Sequence, residues 1–354
     1  MAVKKTSRGL FLLQGVLFVM LLSTVVCASA ADLADCAKMD NPDERLACYD
    51  TLSGRSKPVV SPTLSEKPQE TSRLHPDRLT LMEKHWDLNP QKRKRTFVLA
   101  PYRPNYFLPV AYNSSPNEDT ALEYDPDAKA QYTEAKFQLS FKAKVWEDFL
   151  GQDIDIWMAY TQQSFWQVYN KAFSSPFRDT NYEPEMLINF RTRYEIPGLQ
   201  GLKLQFVNVG FNHQSNGRSK PLSRSWNRIV ANFGLEKDNF NLLLKTWYRL
   251  PEDDAKDDNA DLTRYMGYGE LWATYFYKDI RFTGMLRNNL RQNNLGAVQL
   301  DVVVPLATLW NRLNNKFGLY VQYFNGYGEG MLDYNTNINR ISAGIMLVDW
   351  NWDM

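Results

Sequence analysis

The chain has 354 residues, and its 41 Lys and Arg nearly balance 40 Asp and Glu for a formal net charge of +1. With no dominant basic cluster, that balance argues against a nucleic-acid partner. The chain is rich in aromatics, with 10 Trp, 19 Tyr and 19 Phe. Beyond the first thirty residues, however, it has no apolar run of about 18 residues, which excludes a transmembrane helix there.

The N-terminus carries Lys4, Lys5 and Arg8, an apolar run from Leu10 to Val26, and then Ala28-Ser29-Ala30. Charge, apolar stretch and small-residue site in that order predict a secretory signal peptide over 1–30, removed on export. A lipoprotein signal ending at Cys27 is the competing reading, disfavoured by the bulk of Val26. Removal leaves Cys36 and Cys48, and an even cysteine count in an oxidising compartment suggests a disulfide. Residues 31–54 read as a short helical pair with Leu33, Cys36, Leu46 and Cys48 as apolar contacts. Residues 55–80, with Pro58, Pro62, Pro68 and Pro76, read as a linker. The whole of 31–95 is expected to be a periplasmic extension, its Lys92-Arg93-Lys94-Arg95 run a solvated junction, and 96–354 the main domain.

From about Tyr106 the pattern changes to period-2 alternation. Phe137, Leu139, Phe141, Ala143 and Val145 alternate with Lys136, Gln138, Ser140, Lys142 and Lys144. Met186, Ile188, Phe190, Thr192 and Tyr194 alternate with Glu185, Leu187, Asn189, Arg191 and Arg193. Further apolar rows are Phe240 to Tyr248, Leu271 to Tyr277 and Ile341 to Leu347. Charged residues on the second face suit the polar interior of a membrane barrel better than a sandwich core. Twelve strands are expected, at 105–112, 137–145, 154–168, 184–196, 202–213, 223–235, 238–250, 265–277, 279–290, 295–304, 316–325 and 340–350. Short turns (197–201, 236–237, Lys278) alternate with long polar loops (113–136, 169–183, 251–264, 326–339). Together these predict an all-β, 12-stranded antiparallel transmembrane barrel with both termini in the periplasm. Trp350 and Trp352 resemble the aromatic end of such barrels, with Asp353 and Met354 following.

One segment carries chemistry. His213 and Ser215 are two apart and so share a strand face, and Asn227 lies on the next strand. Val207, Val209 and Phe211 have the parity of His213, while Ile229, Ala231, Phe233 and Leu235 have the parity of Asn227. All three polar residues therefore extend the apolar, lipid-facing rows, beside a loop that strand counting places on the external side. Polar groups aimed at lipid are costly without partners. A serine beside a histidine in that position points to a catalyst whose substrate is the lipid. Ser215 would be the nucleophile, His213 its base, and Asn227 the group that fixes the imidazole tautomer. Gly217 offers a backbone N–H for a developing oxyanion. Taken alone, His-x-Ser beside Asn216-Gly217 reads first as an ordinary turn, and it is Asn227 on the facing strand that brings the two readings level.

The same residues resemble outer-membrane phospholipase A. The match lies in His213 and Ser215, in Asn216-Gly217-Arg218-Ser219, and in Ser223-Arg224-Ser225-Trp226-Asn227. It extends to Tyr160-Thr161-Gln162, Ser174 to Arg178, Asn181 to Pro184, Tyr265 to Tyr268, Gly326 to Glu329 and Asp333-Tyr334-Asn335, and covers roughly residues 95–350. It implies a twelve-stranded outer-membrane barrel with its site facing the outer leaflet. The implied reaction is calcium-dependent hydrolysis of phospholipid and lysophospholipid acyl esters (A1 and A2), with activation as a homodimer. It also implies Ca2+ held by the Arg218 carbonyl and the Ser223 hydroxyl, with Ser174 supplied by a second subunit. The extension with Cys36 and Cys48 lies outside the resemblance.

Gln162 gives a separate expectation. It falls on the apolar row Ile154, Ile156, Met158, Tyr160, where an amide facing lipid wants a matching amide across a dimer. Asp253, Asp254, Asp257 and Asp258 read as a solvated loop. The alternatives are a channel or structural barrel in which the trio is inert, and a soluble periplasmic β-protein. Inward charges at Arg191, Arg193, Glu270 and Arg287 would fill a closed lumen or line a pore.

Overall fold

The structure, a computed structural model, describes residues 35–53, 80–118, 130–253, 255, 257–309 and 316–348. The expected signal peptide, residues 55–79 of the linker, Leu33, Asp254 and the closing Trp350 to Met354 lie outside the described residues. Contacts divide the chain into two units, 1–73 and 74–354.

In the first unit a helix, α1 (Pro42–Leu52), starts where its sequence directs. The Asn41 side chain accepts from Asp43 N, Pro42 brings a helix-compatible φ, and Asp43 and Glu44 face the positive end of the helix dipole. Cys48 on α1 is disulfide-bonded to Cys36, with Cα atoms 5.7 Å apart. Leu46, expected as an apolar contact, is exposed.

The second unit begins with α2 (Leu81–Trp86), opened by a Thr80–Glu83 capping box and closed by Asp87 in the left-handed region. Its Trp86 packs edge-on against Tyr102 and Trp157 and tilted against Phe206. The packing therefore puts residues 80–95 with the barrel, although proline and charge had drawn the extension as far as residue 95.

The barrel has twelve staves. In chain order the strands are β1 (Leu99–Pro101), β2 (Asn105–Asn113), β3 (Thr133–Trp146), β4 (Ile154–Trp166), β5 (Phe177–Glu195), β6 (Lys203–Ser215) and β7 (Ser225–Lys237). They continue with β8 (Phe240–Arg249), β9 (Gly269–Tyr277), β10 (Ile280–Asn288), β11 (Gly296–Pro305), β12 (Phe317–Gly326) and β13 (Ile338–Leu347). Each pairs antiparallel with its neighbour, and β13 closes on β2 from Arg340↔Asn113 to Leu347↔Asn105. The short β1 pairs with 141–143 of β3 beyond the end of β2, so it prolongs that stave. Among the described residues no helix is long and apolar enough to cross a membrane.

The expected rows hold. Outward Leu139 is 54% exposed, whereas Lys142 on the other face of β3 is 0% exposed. Among the differences, two strand starts and one facing have local reasons. β5 starts at Phe177 instead of 184, because Pro184 is tolerated where the ladder to β6 skips from Tyr182↔Ser215 to Glu185↔Asn212. β9 starts at Gly269 instead of 265, because Leu262 and Met266, both buried at i and i+4, belong to a short helix α3 (Leu262–Met266). Arg193 leaves the inward row at a bulge, with φ 46°, and becomes exposed.

The lumen is filled by paired charge. Glu134 binds Arg178 and Arg340, Arg340 also binds Glu329, and Glu329 binds Lys136 at 2.9 Å. Arg191 pairs with Asp155 at 2.6 Å, and Glu270 with Lys245 at 3.0 Å and Arg287 at 3.6 Å. Lys142 has its Nζ 3.3 Å from the Trp86 ring centroid, within an aromatic cage completed by Tyr102 and Trp157. A cavity of about 560 Å³ remains among these groups. Removing one member of the Glu134–Arg340–Glu329 set leaves an uncompensated buried charge. Arg340→Met is expected to lower stability by about 3–5 kcal/mol, read as a shift in urea-unfolding midpoint followed by tryptophan fluorescence in micelles.

Candidate active site

The β8–β7 ladder runs to Arg228 with one further bond at Asn227, and the β9–β8 ladder runs to Thr246 with one further bond from Trp247. The β6–β7 hairpin therefore stands above its neighbour on the long-loop side, with His213, Ser215 and Asn227 at the rim. All three are half-buried and on the outward row. His213 and Asn227 are direct cross-strand partners, and His213 Nδ1 lies 2.9 Å from Asn227 Oδ1. With the amide so oriented, Oδ1 only accepts, so Nδ1 carries the proton and Nε2 presents its lone pair. Ser215 follows on the same face, opposite Ser225 on one side and Tyr182 on the other. The alternation alone thus brings a serine and an amide-paired histidine to the lipid-facing side.

The loop 216–224 is built around a residue that sequence had treated only as a turn former. Asn216 is buried, and its Oδ1 accepts from Arg224 N at 3.0 Å and Arg218 N at 3.3 Å, while its Nδ2 donates to the Leu222 carbonyl at 2.8 Å. Gly217 sits at φ 65° beside the Tyr182 ring. The Arg218 guanidinium donates to the carbonyls of Phe177 and Arg178, at 2.8 and 2.7 Å, tying the loop to β5. Behind the site, on the lumen face, Arg228 donates to Asn212 and to Glu183, and Trp226 Nε1 donates to Gln214 at 2.8 Å. These inward residues of β6 and β7 hold the hairpin that carries the outward trio. Their parity was legible in sequence; their partners were not.

Arg218 and Ser223 share the 216–224 loop, whereas Ser174 is exposed on the β4–β5 connection with φ 57°. Of the carboxylates expected in a solvated loop, Asp253 is exposed, while Asp258 is half-buried and ion-paired. It pairs with Lys220 at 2.8 Å, and Lys220 first, with the nearby Ser223 hydroxyl after it, holds its carboxyl below the ordinary aspartate range. Asp257 turns to Arg249 at 2.7 Å. Among the described residues no group of three or more His, Cys, Asp or Glu could hold a metal ion. Oxygen donors for a hard cation are nevertheless gathered at Ser223 and Asp258. Gln162 lies on the outer face as expected, but its amide already has partners on its own strand. Tyr160 donates to its Oε1 at 3.1 Å, and its Nε2 donates to Ser164 Oγ at 3.3 Å.

A closed barrel with a serine, a histidine and a paired amide turned toward lipid has the framework of a membrane-embedded acyl hydrolase. A family model described as phospholipase A1 matches residues 82–347. Phospholipase A1 of Escherichia coli K12 is 37% identical, the match covering 73% of this chain and 84% of that one. A putative phospholipase A1 of Neisseria meningitidis is 31% identical over 89% of this chain and 90% of its own. That share is too large for the barrel alone, so the likeness reaches into the N-terminal region that had been set outside it. The solved outer membrane phospholipase A from Escherichia coli is 37% identical with a TM-score of 0.65, covering 73% of this chain and 95% of that one. The crystal structure of a Salmonella typhi outer membrane phospholipase dimer with bound calcium is 36% identical, with a TM-score of 0.64, covering 72% and 93%. The chain belongs to the phospholipase A1 family.

Gly217 tests the loop geometry. A Cβ there would lie 3.1 Å from Tyr182 Cε2, on a backbone with positive φ. Gly217→Ala is expected to fold, as judged by heat-modifiable gel migration. If the Gly217 N–H serves the oxyanion as its sequence position suggests, the hydrolysis rate should fall on the order of tenfold as that donor is displaced.

Proposed function

We propose that the protein is a calcium-dependent outer-membrane phospholipase. It hydrolyses acyl esters of phospholipids and lysophospholipids with Ser215, His213 and Asn227, and is active as a homodimer. The observation that carries this is the His213–Asn227 pair, 2.9 Å apart on a lipid-facing row beside Ser215. Polar groups pointed outward at that height have no structural use for hydrocarbon neighbours, whereas an ester at the top of an acyl chain arrives at the same depth.

In the first half-reaction Ser215 Oγ attacks the ester carbonyl carbon and His213 Nε2 takes its proton. Asn227 Oδ1 holds the Nδ1–H and stabilises the imidazolium, less strongly than a carboxylate would. The oxygen that gains charge is met by the backbone N–H of Gly217. Collapse expels the glycerol-side alcohol, which receives the proton from His213. Water, activated by the same imidazole, then releases the fatty acid from Ser215.

The Arg218 carbonyl and the Ser223 hydroxyl, with Ser174 of the partner subunit, would hold calcium. All are oxygen donors, which suits a hard cation, and the Asp258 carboxylate beside Ser223 adds one anionic oxygen nearby. Calcium, when bound, supplies positive charge beside the oxyanion. A donor set with so few carboxylates binds weakly until a second subunit completes it, which agrees with control by dimerisation. Gln162 is placed at that subunit contact. Its amide keeps one donor and one acceptor beyond Tyr160 and Ser164, enough for a reciprocal pair. The first thirty residues are assigned as an export signal and the cysteine-bearing segment as a periplasmic extension.

Phospholipid hydrolysis by refolded protein in micelles, with calcium or with chelator, tests this reading. Wild type should release fatty acid only with calcium, and Ser215→Ala should lose on the order of a thousandfold or more. Undiminished release by Ser215→Ala, or no release from a folded wild-type dimer, would reject the assignment.

A further inference from the structure

Asn227 has a second partner. Its Nδ2 donates to Glu252 Oε1 at 3.4 Å, while its Oδ1 faces His213 Nδ1 at 2.9 Å. Glu252 is half-buried in the connection after β8, and the local backbone directs it there. Leu250 N donates to the Asn227 carbonyl at 2.8 Å, extending the pairing of β8 with β7, and Pro251 then fixes the exit direction.

The surrounding cations are committed elsewhere. Lys220 pairs with Asp258, and Arg249 with Asp257 and the carbonyls of Asn259 and Ala260. Arg224 donates to the carbonyls of Pro221 and Ser223. Among the described residues Glu252 forms no ion pair, and its described partner is the amide of Asn227.

We propose that Glu252 is a positioning residue for the hydrolysis, selecting the orientation of the Asn227 amide and through it the tautomer of His213. This rests on the Ser215, His213 and Asn227 reading above. An asparagine amide is nearly symmetric in shape, and a half-turn exchanges its oxygen and nitrogen. In the flipped state Nδ2 would face His213 Nδ1, which must then accept. The ring proton moves to Nε2, and that nitrogen cannot take the proton of Ser215. A carboxylate beside Nδ2 makes the flipped state unfavourable, since it would set Oδ1 against an anion. Glu252 also returns a negative charge to a triad whose third member is neutral, one amide removed from the imidazole.

The test is a double-mutant cycle at Glu252 and Asn227, with kcat and KM measured separately on micellar phospholipid at saturating calcium. Heat-modifiable migration gives the folded fraction, and Ser215→Ala sets the background. Losing one hydrogen bond of this kind, Glu252→Ala should lower kcat by about threefold to tenfold with KM unchanged. Glu252→Gln keeps an acceptor for Nδ2 and should lose less. In Asn227→Ala the Glu252→Ala change should have no further effect, because the group it positions is gone. In Asn227→Asp the sign should reverse, with Glu252→Gln raising activity by relieving a pair of like charges.

An unchanged kcat in folded Glu252→Ala, alongside a clear loss in Asn227→Ala, would overturn the inference and leave the triad standing. An equal fold-loss from Glu252→Ala with and without Asn227 would do the same, marking a structural role. Undiminished activity in Asn227→Ala would overturn the triad reading and the inference with it.

Discussion

The constraint on which this molecule depends is that hydrocarbon offers no hydrogen bonds. A sheet placed in it must satisfy every backbone N–H and C=O internally, and closing β13 onto β2 does so. Closure has a further effect. Once every stave is paired on both sides, a strand can no longer twist out of register to hide an awkward residue, so each side chain is committed to lumen or lipid by its parity. The lysines of β3 go inward, Lys136 and Lys144 to carboxylates and Lys142 into an aromatic cage. The leucines and phenylalanines go outward. Residues that break the rule become conspicuous, and His213, Ser215 and Asn227 break it together on adjacent strands.

That commitment explains why the site is made of short-range geometry and not of a cleft. Two strands in register bring His213 opposite Asn227 without a loop having to close over them. The irregular part is the 216–224 loop, which carries Gly217, Arg218 and Ser223 next to the serine. There the organising group is the buried amide of Asn216, bonded to backbone at three points. The rim thus combines a rigid half, set by the sheet, with a loop whose shape is set by one side chain.

Much of the architecture was readable from alternation because the barrel obeys a period of two almost everywhere. The readings that shifted did so where another rule intervened. The strand expected from 184 already begins at Phe177, and Pro184 occupies a gap in one ladder and interrupts nothing else. Leu262 and Met266 belonged to a helical period too short to recognise beside a strand. Residues 80–95 carry proline and charge like a linker, but Trp86 among them finds a place inside the barrel, and no local pattern announces such a partner. The outward trio was legible because parity is a property of one strand. The lysine and serine beside Asp258, the in-strand partners of Gln162 and the carboxylate behind Asn227 depend on loops meeting in space, and were not.

The network in the lumen reaches across the place where the barrel joins its own ends. Glu134 and Lys136 stand on the second stave and Arg340 on the last, with Glu329 from the loop before it. A slip of one residue as the last stave docks would turn Arg340 toward hydrocarbon and leave Glu134 and Glu329 one buried cation short. The seam therefore proofreads itself: a misaligned closure is electrostatically intolerable, and the insertion reaction has a built-in reason to stop in a single register.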